Sequence, residues 1–219
     1  MNEEYSNAGS MEEQSSSKLR PKHTGSKQLF ENPFLEKLTR THISVPICIF
    51  LLISSGLLIY GIRYTTLAVY YIPFLFISGF LFFTLLEYLV HRYVFHMKPD
   101  TDLKRKLQYS MHGIHHEFPK DQGRLAMPPV ISILLAAIFF VIFYLLMNTK
   151  VFAFLPGMLS GYAFYLFVHF IVHAYPPPKN FTKALWVNHA IHHYKDNNTV
   201  FGVSSPLWDY VFGTMPKKY

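Results

Sequence analysis

The sequence is short of what secreted and soluble domains rely on. It has one cysteine in 219 residues, Cys48, so no internal disulfide can form. Charged residues make up 15% of the chain, against about 25% in an average soluble domain. Acids number only 13, against 20 Lys and Arg. No segment repeats at solenoid spacing, and a chain that is 51% hydrophobic is not a disordered polymer. These shortages exclude a disulfide scaffold, a fibrous repeat and a wholly disordered chain. The length allows one domain and hardly two.

The charges are missing in blocks. Ile43–Ile62 is 20 residues without one, Tyr64–Leu86 is 23, Leu125–Thr149 is 25, and Val151–Val172 is 22 with only His169 inside. About 20 apolar residues as helix cross the hydrocarbon of a bilayer. A chain this size has no room to bury four such helices in a soluble core. The expected fold is an all-α integral membrane protein with four transmembrane helices, at about 43–62, 66–90, 127–148 and 151–173. Pro128 and Pro129 suit the first turn of the third helix, and Pro73 is expected to kink the second. A cytosolic helical cap is expected from 91–126 and 174–215, the second part opening at Pro176-Pro177-Pro178. Residues 1–28, rich in Ser, Glu, Lys and Gly, read as a disordered tail. Residues 29–42 read as an interfacial amphipathic helix, with Phe30, Phe34, Leu35 and Leu38 on one side. The polar region ahead of the first span argues against a signal peptide there.

The cations give an orientation. Of the 20 Lys and Arg, 18 fall in the N-terminal region, the 91–124 loop or the C-terminal tail. Only Arg63 and Lys150 fall in the opposite loops. The positive-inside rule then puts both termini and the long loop in the cytoplasm. Anionic headgroups account for the basic balance, and nucleic acid is not required.

Against so few acids, 12 histidines stand out, and ten fall in four groups. His91 and His96 form H-x4-H. His112, His115 and His116 form H-x2-H-H. His169 and His173 form H-x3-H. His189, His192 and His193 form a second H-x2-H-H. The charge-based topology puts all four groups on one side of the membrane. His169 and His173 are about 40° apart on a helix, as are His112 and His116. His91 and His96 diverge by about 140°, which calls for a bulge, an unwound end, or approach to one ion from two sides. Adjacent histidines point about 100° apart, which suits service to two ions. Ten imidazoles therefore suggest a two-metal centre with about five ligands per ion. Imidazole suits zinc, copper, iron and nickel, and the lack of cysteine argues against a thiolate site. His23 and His42 read as ordinary capping or interfacial residues. Glu87, one turn before His91, is expected to accept an imidazole N–H or to snorkel to the interface. Asp209 is expected to do the same or to hold the tail by hydrogen bonds. Asn188, Tyr194 and Glu117 are weaker candidates beside the histidines.

The four histidine groups resemble those of the fatty acid hydroxylase and sterol desaturase superfamily of membrane di-metal oxygenases. Three further stretches look like its fatty acid 2-hydroxylase branch: LFENPFLEKLTRTH at 29–42, EYLVHRYVFH at 87–96 and FGVSSPLWDYVFGT at 201–214. The resemblance covers about 28–215, so 43–215 is expected to be the hydroxylase domain. It implies hydroxylation of a lipid acyl chain next to the carbonyl by two iron ions, with O2 as co-substrate. Zinc could occupy the same imidazoles in purified protein without supporting redox chemistry. The resemblance also implies a split, with His91, His96, His112, His116 and His192 on one ion and His115, His169, His173, His189 and His193 on the other. Family members often carry a cytochrome b5 domain that this sequence does not accommodate, so a separate electron donor of cytochrome b5 or ferredoxin type is expected. The membrane is expected to be a bacterial inner membrane or the endoplasmic reticulum; Lys217-Lys218-Tyr219 is one residue out of register for a dilysine signal. Alternatives within the superfamily are a sterol or carotenoid oxygenase and a sphingoid-base hydroxylase. An alternative of another class is a membrane metal transporter or sensor, which should carry ligands near the midplane.

Overall fold

The computed structural model describes residues 21–216, and every regular element among them is helical. We label the α-helices α1 (Pro33–Leu38), α2 (Ser44–Tyr64), α3 (Ile72–Val90), α4 (Asp102–Gln108), α5 (Ile114–Glu117), α6 (Pro129–Met147), α7 (Val151–Ala174), α8 (Lys183–Tyr194) and α9 (Leu207–Val211). Three stretches are long and apolar enough to cross a membrane: Ser44–Tyr64, Val69–Phe95 and Gln122–Ala174. These helices are apolar on every face instead of along one stripe, as suits contact with lipid as well as protein.

The third stretch holds both α6 and α7. The helix breaks at Asn148, where φ is +53°, and the chain folds back on itself. Phe140 and Phe143 of α6 meet Phe152 and Phe154 of α7, with ring centroids 5.7 and 4.9 Å apart. α6 stays peripheral, with only Ser132 buried. α7 is the central post, and every residue from Val151 to Leu159 is buried.

Small residues let α3 and α2 approach that post. A Cβ on Gly79 would sit 1.9 Å from the Phe154 carbonyl oxygen, and one on Gly157 would sit 2.0 Å from that of Phe76. Only hydrogen fits at such a backbone crossing. On the other flank, the Ser54 hydroxyl donates to the Pro156 carbonyl at 2.9 Å. With lipid outside, this close packing and the few buried hydroxyls hold the helices together.

Several local features differ from the sequence reading. Pro73 lies in the first turn of α3, which starts at Ile72 after a short 3-10 turn, so it bends nothing. The proline inside a helix is Pro156. Pro129 does open α6. Of the stretch 29–42, only Pro33–Leu38 is helical, capped by Asn32, whose side chain accepts from the Phe34 and Leu35 N–H groups. Residues 1–20 of the expected tail and the final 217–219 lie outside the described residues. Residues 21–28 lie along the loop that precedes α6. Lys22 pairs with Glu117 at 2.6 Å, Ser26 bonds Asp121, and the Lys27 carbonyl accepts from Arg124 at 2.8 Å. Arg124, its side chain 3% exposed, also pairs with Glu36 just after α1's start.

Candidate metal centre

Four elements deliver the ten clustered histidines to one end of the helices. α3 runs into a π-turn over His91–Phe95, where the His96 N–H donates to the His91 carbonyl at 3.2 Å. The extra residue in that turn brings two histidines five apart onto one side. A second π-turn, Tyr109–Gly113, presents His112 ahead of α5, which carries His115 and His116. The last turns of α7 carry His169 and His173, and α8 carries His189, His192 and His193.

The rings converge as two sets of five. His91, His96, His112, His116 and His192 form one, and His115, His169, His173, His189 and His193 the other. Within each set one nitrogen per ring lies within 4.8 Å of all the others. These are the two groups that the ring directions and the family resemblance divide. In the first set, His112 Nε2 is 3.0 Å from both His91 Nε2 and His116 Nε2, and His96 Nε2 is 3.0 Å from His192 Nε2. In the second, His115 Nε2 is 3.0 Å from His169 Nε2, and His173 Nε2 is 2.7 Å from His189 Nε2. The sets adjoin through His116 and His193, stacked with centroids 4.2 Å apart. His23 stacks on Tyr194 and His42 Nδ1 bonds the Ser44 hydroxyl, both outside the sets.

Burial and mutual repulsion keep the rings neutral. Burial, then the neighbouring His192, pushes His96 down to about 3. Burial likewise brings His192 to about 4 against the opposing pull of its bond to the Thr199 carbonyl. His112, His115, His116, His189 and His193 lie well below their ordinary value, again through burial first and other histidines second. A neutral imidazole offers a lone pair, which is the state a metal requires. Nitrogens about 2.1 Å from one ion and at right angles stand about 3 Å apart, and the Nε2 pairs have that spacing. His115 Nδ1, His189 Nδ1 and both nitrogens of His193 are buried without a hydrogen-bond partner. Each set therefore fits a metal ion, and neither includes a carboxylate or a thiol.

Backbone carbonyls orient three of the rings. The Phe201 carbonyl is 2.6 Å from His91 Nδ1, that of Thr199 is 2.8 Å from His192 Nδ1, and that of Leu125 is 3.2 Å from His169 Nδ1. An acceptor on Nδ1 fixes the tautomer that leaves Nε2 free to bind. The loop carrying the first two carbonyls is itself held by the two acids singled out from sequence. Glu87 does not accept from an imidazole. Its Oε1 accepts from the Val203 and Ser204 N–H groups at 2.7 and 2.9 Å, and its Oε2 accepts from the Ser204 hydroxyl. Asp209 holds the tail, accepting from the Phe201 and Gly202 N–H groups at 2.8 and 2.9 Å and from the Thr214 hydroxyl at 2.7 Å. Glu117 accepts from Lys22 and Tyr109, which hold its carboxyl below the usual range. Asn188 is buried beside His189 on α8, and Tyr194 stacks on His23. The carbonyls of Phe201, Thr199 and Leu125, and the buried Arg124 beside the last, went unread in the sequence because no side-chain pattern marks a carbonyl.

Residues 76–214 match the family model described as fatty acid hydroxylase. The ceramide very long chain fatty acid hydroxylase scs7 of Schizosaccharomyces pombe is 35% identical over 207 residues, covering 89% of this chain and 57% of the relative. The fatty acid 2-hydroxylase of Homo sapiens is 38% identical over 154 residues, 67% of this chain and 41% of that one. A dihydroceramide fatty acyl 2-hydroxylase of Arabidopsis thaliana is 33% identical over 197 residues, 86% of this chain and 80% of that one. The chain thus spans about half the length of the first relatives it matches. A solved structure described as full-length scs7p, with only the hydroxylase domain visible, superposes with a TM-score of 0.82 at 34% identity, over 90% of this chain and 75% of that one. The histidine sets, the helices that bring them together and these matches lead to one conclusion: the chain belongs to the fatty acid hydroxylase family.

Proposed function

We propose that this protein is a membrane monooxygenase that hydroxylates a lipid acyl chain at the carbon next to its carbonyl, on a free fatty acid or a sphingolipid-linked one. The observation that carries the reading is the pair of five-imidazole sets, four rings of each buried and the fifth half-buried, at the ends of apolar helices. The ten histidines are proposed as ligands, five to each ion. Iron in those sets would supply the activation of dioxygen that no side chain provides, whereas zinc would fill them without redox chemistry. In the overall balance, one oxygen atom of O2 enters the C–H bond and the other leaves as water. Two electrons and two protons are consumed, the electrons coming from a separate donor of cytochrome b5 or ferredoxin type. The chain's own part is positional. The Phe201, Thr199 and Leu125 carbonyls hold three rings in place, Glu87 and Asp209 hold the 200–204 loop, and the buried setting keeps the imidazoles unprotonated. The relatives' names as ceramide, dihydroceramide and fatty acid hydroxylases support the substrate class.

We further propose that α2, α3, α6 and α7 are four spans. The cation distribution supports both termini and the histidine end facing the cytoplasm, in a bacterial inner membrane or the endoplasmic reticulum. An acyl tail could then stay in lipid while its carbonyl end reaches the histidines. Expression in a host without 2-hydroxylated acyl chains, followed by lipid mass spectrometry, tests the reaction. New 2-hydroxy acyl chains are expected, and the His112→Ala and His116→Ala variants should insert normally but make none. A change confined to sterols or carotenoids, or full activity in both variants, would overturn it.

A further inference from the structure

We infer that the segment from Val200 to Phe212 is a re-entrant piece seated in the leaflet on the histidine side, its outer face in contact with lipid acyl chains. The inference rests on the reading of α3 as a span and goes beyond it, since the topology alone makes this segment part of an aqueous cap. The first observation is compositional. Residues 197–216 contain no Lys or Arg and a single acid, Asp209, which is fully buried under its hydrogen bonds. By contrast, the 91–124 loop, which carries five of the ten clustered histidines, holds seven Lys and Arg.

The second observation is where α9 is fastened. Trp208 Nε1 donates to Thr84 Oγ1 at 2.9 Å. The Phe212 ring stacks on Tyr88 with centroids 5.1 Å apart, and the Thr214 hydroxyl is 3.0 Å from the Tyr88 hydroxyl. Thr84 and Tyr88 are one turn apart on α3, within the apolar stretch Val69–Phe95. Thr84 lies seven residues before His91, about 10 Å along the axis. Its neighbour Phe83 packs on Gly161 of α7. Gly161 is about 7 Å deeper along α7 than Leu166, which shares a buried cluster with Leu125, Ala126 and Ile43 at the mouth of α2. α9 is therefore anchored below the level at which α2 begins.

The third observation is continuity. Ile77, Leu81, Thr84 and Tyr88 follow one stripe of α3 at helical spacing. Ile77 and Leu81 are 58% and 48% exposed, whereas Thr84 and Tyr88 are buried. α9 covers the upper half of the stripe and presents Tyr210 and Val211 outward, 68% and 60% exposed. The apolar surface of α3 thus continues onto α9, and a lipid environment for one is a lipid environment for the other. Water would solvate these side chains poorly, and the one cation at this face, Arg92, is engaged from the histidine side, donating to the Tyr88 hydroxyl at 2.8 Å.

The test uses the full chain in phosphatidylcholine vesicles, with Cys48→Ser as background. An environment-sensitive fluorophore is attached at Tyr210→Cys, Val211→Cys, Ile77→Cys or Lys179→Cys. Brominated acyl chains should quench the labels at 210 and 211 as strongly as that at 77, while aqueous iodide should quench only the label at 179. Labels at 210 and 211 that behave like 179, with 77 still quenched by lipid, would overturn the inference and leave the span intact. Iodide quenching at 77 as well would overturn both. Protection of 210 and 211 from both quenchers would assign this face to a second copy of the chain, and would also overturn the inference.

Discussion

At His96 and His192 burial leaves little water to solvate a charge, so the folded rings stay neutral well below the pH at which a free histidine protonates. The sign of the pH response follows. The folded values, about 3 and about 4, lie below the 6.5 of an unburied histidine. As pH falls, the unfolded chain takes up protons first, so stability rises with pH in that interval. The metal-free protein is expected to keep its full thermal midpoint above about pH 6.5 and to lose it progressively toward pH 4. Melting curves of metal-free protein across that range check this, and a flat profile would contradict it. Glu87 invites a second test at the same scale. Replacing it by Ala strands the Val203 and Ser204 N–H groups, at about 1–3 kcal/mol per buried donor. The Phe201 carbonyl on the same loop then loses its fixed position behind His91. Glu87→Ala should lower both the melting temperature and the bound metal, and Glu87→Gln, which keeps an accepting oxygen, should restore most of each. The four histidine groups were legible from spacing, which also shows that adjacent rings point apart, whereas the named division into two sets came with the family resemblance. The role of Glu87 was not, since its partners are backbone groups 116 and 117 residues further on.

At the scale of elements, the α3–α7 crossing fixes the height of one histidine pair against another. Gly157 allows it by leaving the Phe76 carbonyl room that a Cβ would take. Gly157→Leu should push the helices apart and cost about 1–3 kcal/mol or more as an overpacked contact. A lower melting temperature in detergent would register it, and Gly56→Leu, where a Cβ would meet nothing within 4 Å, is the control. The apolar runs made the long helices legible, and Pro129 marked one start correctly. Pro73 misled because proline suits a first turn as well as a kink, and only the true start at Ile72 separates the two. The π-turn at His91–Phe95 was one of three solutions that the five-residue spacing allowed. Order in residues 21–28 was not legible, because their contacts are with Glu117, Asp121 and Arg124, distant in sequence.

At the scale of the molecule, 18 of the 20 cations fall in sequence in the N-terminal region, the 91–124 loop or the C-terminal tail, which the proposed topology assigns to one side. Reporter domains fused to either end should signal from the cytoplasm, and one inserted beside Lys150 should signal from the opposite compartment. The reverse result would invert the proposed orientation of the active site.

One feature of the histidine sets bears on how they are filled. His115 and His116 are neighbours on α5 but serve different sets, as do His192 and His193 on α8. If each set takes an ion as proposed, the first to bind would fix rings on both helices and so steady the neighbouring rings that the second would use. The second ion then has less conformational entropy to remove, so loading should be positively cooperative. A titration would show few singly loaded molecules, with the centre filling and emptying as a pair.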